Sequence, residues 1–267
     1  MRGVVASALL AAMLAAPMWN WLVDYFIFQP SPGIDLRPEE LGIEAEQTFL
    51  RTDDGVRIHS FFLPAPGASR ALLFLHGNAG NASHRLPNAA ELARLGCHVL
   101  LLDYRGYGLS EGTVSEAGVY ADARAGLSYL VETRGIPERR VVVFGRSLGA
   151  AVAVDLAADR QLAGVILESA FPSAEAVARA HFGPLAPLAR GRFASDQKIG
   201  RVRAPLLFFH GDRDQIVAIA LGRRLYQLAP EPKYFEPIPG AGHNDTTRVG
   251  GRPYFERIRR FLDEVTP

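Results

Sequence analysis

A single cysteine, Cys97, stands in 267 residues, so no intrachain disulfide forms and no multi-cysteine metal site is built. It precedes the apolar run VLLLDY and reads as a buried core residue. Lysine is nearly as scarce: of 29 Lys and Arg residues, only Lys198 and Lys233 are lysines. Schiff-base or lysine-nucleophile chemistry therefore has few candidates. Neither lysine follows a glycine, so the phosphate-binding GxxxxGK[ST] is absent. GxGxxG is missing too, because GYGLSEG places Glu111 where the third glycine should stand. Net charge is +1, which gives no field to hold nucleic acid. No two of the histidines have helical or hairpin ligand spacing, which argues against a metal site. No cofactor is expected.

Charge is also absent from residues 3–23, and about 21 residues at ~1.5 Å each match a hydrocarbon core of ~30 Å. Trp19, Trp21, Tyr25 and Phe26 then cluster as an interfacial aromatic belt would. Residues 1–28 are expected to form a single-pass membrane anchor. Arg2 and the free amino terminus favour the bulk of the chain on the non-cytoplasmic side. A cleaved signal peptide, giving a secreted protein, is the main competitor. The only Ala-x-Ala, Ala6-Ser7-Ala8, comes too early for it, and Pro17 sits just after the later Ala pair. A hydrophobic helix docked on a soluble domain is the third option.

Residues 29–45 read as a Pro-rich link, and residues 46–267 as one α/β domain. EQTFLRT and VRIHSFFLP flank Asp53-Asp54-Gly55 as an antiparallel hairpin. Short apolar runs follow (ALLFL, HVLLLDY, RVVVFG, GVILES, PLLFFHG, KYFEPI), alternating with helical stretches such as 86–95 and 115–132. This pattern predicts a mainly parallel sheet with helices on both faces. Residues 172–200 break the rhythm with Pro, Gly, Phe182, Leu185, Leu188 and Phe193, and read as a short cap insert over one end of the sheet. Those apolar residues either receive an acyl chain or simply pack the cap.

Ligands in such sheets bind outside the carboxyl ends of the strands, where every polar motif of this chain falls. VVVFGRSLGAAVAVDLA is strand, Gly-x-Ser-x-Gly, then helix: the nucleophile elbow, with Ser147 on the turn. A serine hydroxyl needs a base, and the base an orienting acid. HGDRDQIV supplies Asp214, with Asp212 the more natural turn former, and GAGHND supplies His243. His59, His84, His98 and His181 have no partner acid in their own segments and read as surface or packing residues. His76 and His210 read as bonding the backbone of their turns. The small-residue loop in LLFLHGNAGN, residues 72–81, then has a purpose. A tetrahedral intermediate needs two N–H donors, here the backbone of Leu148 and of Asn78.

These motifs, HGNAGN with HRLPNA, DYRGYGLSEG, GRSLGAAVA, HGDRDQIV and GAGHND, resemble the α/β-hydrolase superfamily and, within it, the membrane-anchored bud-emergence-type α/β-hydrolase-domain proteins. The resemblance runs from Glu46 to Val265. It implies the α/β-hydrolase fold, Ser147, Asp214 and His243 as a triad, and Asn78 and Leu148 as oxyanion donors. Asp103 and Arg105 would brace their loop, and an N-terminal anchor is usual for the group. The expected function is a serine hydrolase of carboxylic esters or thioesters, acting on a small or lipid-like acyl substrate. Acyl transfer or peptidase activity on the same triad, or a membrane-tethered scaffold without turnover, are the alternatives.

Overall fold

The computed structural model describes residues 23–267. Most of the stretch read as a membrane anchor therefore lies outside the described residues. Among the described residues no helix is long and apolar enough to cross a membrane.

Among the described residues there are ten strands: β1 (Gln29–Pro30), β2 (Glu46–Arg51), β3 (Arg57–Leu63), β4 (Ala71–Leu75), β5 (Ala79–Gly80), β6 (His98–Leu102), β7 (Val141–Arg146), β8 (Gly164–Glu168), β9 (Leu206–Gly211) and β10 (Lys233–Ile238). The α-helices that lie between and after these strands are α1 (Leu86–Ala93), α2 (Glu116–Ser128), α3 (Leu148–Ala157), α4 (Ala174–Phe182), α5 (Ile219–Leu228) and α6 (Thr246–Val265). Eight strands form one sheet in the order β10-β9-β8-β7-β4-β6-β3-β2. From β6 to β10 every pairing is parallel, while β3 runs antiparallel to both β2 and β6. The predicted hairpin is in place, closed through Gly55 at φ +84°, a conformation that glycine adopts at little cost.

The parallel strands read as unbroken apolar runs because both faces are covered. Successive residues of β4 alternate between two cores. Leu73 and Leu75 pack with Val119, Val152 and Phe208 on one face, Leu72 and Phe74 with Leu86, Ile258 and Phe261 on the other. At roughly 1.5–3 kcal/mol per fully buried side chain, these strands carry most of the favourable free energy.

The helix predicted over 115–132 starts on its cap: the Ser115 side chain accepts the Gly118 N–H, and the last turn widens into a π-turn at Tyr129–Thr133. Cys97 is buried, and burial pushes its thiol up to about 12. Iodoacetamide at pH 8 is therefore expected to leave Cys97 unmodified in the native protein and to alkylate it in urea. Modification of folded protein, read by intact mass, contradicts this placement.

Residues 29–33, the start of the Pro-rich link, lie along the loops after β4 and β6. β1 pairs in parallel with β5, and the Gly33 N–H donates to the Gly108 carbonyl (2.8 Å). Residues 172–200 contain no strand; they form α4 and short 3-10 turns.

Candidate active site

Ser147 follows the last residue of β7 and precedes the first of α3, at φ 54° and ψ −115°. Such a backbone is rare for a side-chain-bearing residue, and strain of this kind persists only where its surroundings impose it. Glycine on either side makes the turn feasible. A Cβ on Gly145 would strike the Gly149 carbonyl and α3, and a Cβ on Gly149 would strike the carbonyl oxygens of Leu75 and His76. The Ser147 N–H donates to the Glu168 carbonyl at the end of β8 (2.8 Å), which ties the elbow to the sheet.

The structure brings the three residues singled out from the sequence together. His243, in the loop after β10, places Nε2 3.0 Å from the Ser147 hydroxyl and Nδ1 2.8 Å from Asp214 Oδ2. Asp214, after β9, is nearly fully buried. Its Oδ1 accepts the backbone N–H groups of Ile216 (2.9 Å) and Val217 (2.8 Å), and its Oδ2 also accepts the Ser169 hydroxyl (3.0 Å). Burial opposes ionisation of Asp214. Hydrogen bonds from His210 and His243 outweigh it and hold the carboxyl well below the usual carboxylate range. An ionised carboxylate only accepts. Nδ1 of His243 therefore donates to Asp214, which turns Nε2 toward the Ser147 hydroxyl.

A second depressed carboxyl, Asp103, is buried between His59 (2.8 Å) and the Ala82 N–H (2.7 Å); burial again opposes, and the histidine contacts win. Both folded-state values lie below the unfolded one of ~3.9. The stability these groups contribute is thus fully present above that value and lost as pH falls through the folded ones. The urea midpoint is expected to be insensitive to these two groups from pH 7 to about 5 and to drop below pH ~4. Retention of the neutral-pH midpoint at pH 3 contradicts it.

The loop after β4 holds Asn78, which lines a cavity together with Ser147 and Leu148. Leu148 opens α3, and the first N–H groups of a helix have no intrahelical partner. The Asn78 carbonyl accepts the Tyr107 hydroxyl (2.7 Å) and the Gln29 N–H (3.0 Å). Its side-chain amide donates to the Ile27 carbonyl (3.1 Å).

Among the remaining histidines, two gain partners that their own segments do not contain. His59 and His84 do have acid partners, Asp103 and Asp35 (2.7 Å), each more than forty positions away in the chain. Pairing at that separation has no signature in the local sequence. His76 and His210 bond the backbone of their turns, at Gly77 (2.7 Å) and Val217 (2.8 Å), as expected. Asp212 accepts the Gly240 N–H (2.7 Å), and Arg105 bridges Asp54 and Asp122. Among the described residues no cluster of three or more metal-ligating side chains occurs.

Two features were missed in the sequence. Arg146, immediately before the elbow serine, donates to the His243 carbonyl (2.5 Å), to Asn244 (3.0 Å) and to Glu168 (2.8 Å). Glu168 also accepts Thr246 (2.8 Å) and Tyr254 (2.6 Å), so one buried network holds the His243 loop. Ser169, which bonds Asp214, ends the run GVILES at the same strand end as every other polar motif, so its signal was present.

Above Ser147 lies a cavity of about 360 Å³. Phe182, Leu185 and Leu188 of the cap line it and are exposed, whereas Phe193 both lines it and is fully buried. The apolar cap thus divides between lining and packing.

The model described as serine aminopeptidase, S33 matches residues 67–193. An uncharacterized protein of Mycobacterium tuberculosis (strain H37Rv) is 40% identical over 243 residues, 90% of this chain and 86% of its own. Protein bem46 of Schizosaccharomyces pombe is 36% identical over 240 residues, covering 85% of this chain and 79% of its own. Among solved structures, an esterase from Pyrococcus furiosus is similar at a TM-score of 0.74 and 20% identity, over 89% of this chain and 98% of that one. A puromycin-hydrolyzing peptidase of Mycobacterium tuberculosis is similar at 0.71 and 16% identity, over 84% and 39%. The parallel sheet, the antiparallel edge and the serine on the strand-to-helix turn define an α/β hydrolase. Within that superfamily, the chain belongs to the bud-emergence-type α/β-hydrolase-domain proteins.

Proposed function

We infer that this hydrolase is a serine esterase or thioesterase working through an acyl-enzyme. The observation that carries the reading is the hydrogen-bonded chain Ser147–His243–Asp214 opening on the cavity above it. Ser147 Oγ attacks the carbonyl carbon and its proton passes to His243 Nε2, while Asp214 steadies the imidazolium. The carbonyl oxygen takes up the charge against the N–H groups of Leu148 and Asn78. Collapse breaks the bond to the leaving oxygen or sulfur, which leaves with the proton from His243. Water then repeats the sequence on the acyl-enzyme and releases the acid and Ser147. Every step uses side chains and backbone of this chain and water.

The aminopeptidase-type family model favours a second reading, cleavage of a peptide bond next to a free amine. A free ammonium group needs a carboxylate to receive it, and none lines the cavity among the described residues. Hydrolysis of p-nitrophenyl butyrate and a butyryl thioester is therefore expected, with little or none of leucine p-nitroanilide. Turnover of the anilide at a comparable kcat/KM would put the peptidase reading ahead. A folded protein inert toward all three would favour the scaffold.

Residues 3–23 serve in this account as the membrane anchor, supported by their lack of charge and by length. The protein is expected to stay with membranes through an alkaline carbonate wash; release into the supernatant contradicts the anchor.

A further inference from the structure

The cavity above Ser147 has two side walls of different origin. One is the cap: Val177 and Ala178 from α4, then Phe182, Leu185 and Leu188. The other is Val23, Phe26 and Ile27, which precede the first strand of the sheet by some twenty residues. The two walls meet where the Phe26 ring lies 6.3 Å from that of Phe182. Below this, Phe28 is buried against Phe193 with ring centroids 5.8 Å apart. Asp24 is ion-paired with Arg192, which also bonds Glu116 (2.6 Å).

The N-terminal segment is also fastened to the loop carrying Asn78. Ile27 accepts the Asn78 side-chain amide (3.1 Å), Gln29 donates to the Asn78 carbonyl (3.0 Å), and Ser31 donates to the Gly80 carbonyl (2.9 Å). The wall therefore has a fixed position relative to the reacting atoms and is not a loose flap.

The chemistry of the lining is one-sided. Among the described residues around the cavity, only Ser147 and Asn78 carry polar side chains, and both sit at the reacting end. A ligand that fits has one polar group at Ser147 and an apolar remainder. At about 360 Å³ the cavity lies near the lower end of small-ligand sites, roughly 300–1,000 Å³, which suits one chain and not the two of a diacyl lipid.

We propose that this cavity is an acyl-chain site, with residues 23–27 as its second wall, and that the substrate is an ester or thioester of a single unbranched fatty acyl chain whose accepted length is set by Phe26 and Ile27 together with the cap. The proposal rests on the serine-hydrolase reading. A chain buried along apolar walls gains with each methylene. kcat/KM over a p-nitrophenyl ester series from acetyl to lauroyl is therefore expected to rise by up to about fourfold per methylene and then level off once the cavity is full.

The test measures that series for the full-length protein, for Ile27→Trp, which narrows the groove while keeping the backbone carbonyl that binds Asn78, and for Phe26→Ala, an exposed position where misfolding is not expected. Fluorophosphonate labelling of Ser147 is measured on the same samples. Ile27→Trp should move the plateau to shorter chains and lower the decanoyl-to-acetyl ratio of kcat/KM at least tenfold. Phe26→Ala should lower the same ratio severalfold. A wild-type profile flat from acetyl to decanoyl, or a ratio unmoved by both variants while labelling persists, overturns the acyl-chain site and leaves the serine hydrolase standing. Folded wild type that neither labels nor turns over any ester sinks both.

Discussion

Ser147→Ala and His243→Ala are each expected to lower kcat for an activated ester by about 10⁶-fold and Asp214→Asn by about 10⁴-fold, with the triple variant losing little more than the worst single one. That non-additivity follows from the proposed mechanism, in which the hydrogen-bonded three act as one device. Without His243 the hydroxyl of Ser147 keeps its proton, and without Ser147 there is nothing for the base to serve. Asp214→Asn should be milder, since Ser169 and the Ile216 and Val217 N–H groups still fix the side chain. It loses the charge opposite the imidazolium and the preference for the proton on Nδ1. KM should change little, because the cavity above Ser147 is untouched. The measurement is steady-state kinetics on protein whose fold has been verified by circular dichroism. Additive losses, or a Ser147→Ala variant within tenfold of wild type, contradict the assignment.

Arg146→Met is expected to destabilise the fold by roughly 3–5 kcal/mol, since it removes the cation from a buried ion pair and leaves the Glu168 carboxyl without it. Glu168 is fully buried and receives Arg146, Thr246 and Tyr254; two neutral donors do not replace the guanidinium. The effect should reach the chemistry as well. Arg146 is the group that bonds the His243 carbonyl, so its loss frees the loop that aims Nε2 at Ser147. kcat is expected to fall by about one to two orders of magnitude with KM nearly unchanged, the mark of a misplaced base. Urea denaturation and steady-state kinetics of the same variant give both numbers. Arg146→Lys should recover stability better than activity, because an ammonium cannot bond Glu168, His243 and Asn244 at once. A stable Arg146→Met enzyme with full activity contradicts the positioning role.

The sheet was legible because parallel strands covered on both faces must be apolar throughout, and ALLFL, RVVVFG and PLLFFHG have no other use for so many consecutive large side chains. The elbow was legible because Gly145 and Gly149 are required by backbone atoms that approach within van der Waals radii. Asp214 and His243 were found by position, each at the carboxyl end of a strand. What escaped was whatever depends on pairing between distant segments. His59 with Asp103, just past the end of β6, and Arg146 with Glu168, on neighbouring strands, join residues far apart in the chain, and nothing near either partner announces the other. The docking of residues 23–33 escaped for the same reason. Residues 29–33 are held by backbone bonds to residues 78–80 and 108, which leave no trace in side-chain type, and Asp24, Phe26 and Phe28 meet Arg192, Phe182 and Phe193 more than 150 positions away.

The most direct measurement is intact-mass and peptide-level analysis of the purified protein after treatment with a fluorophosphonate. The expected result is one phosphonyl group per chain, on the peptide containing Ser147, blocked by prior acylation with a slowly hydrolysed ester and absent from a folded Ser147→Ala variant. Label on another serine, equal labelling of Ser147→Ala, or a folded wild-type protein that takes up no label would contradict an activated serine at the elbow.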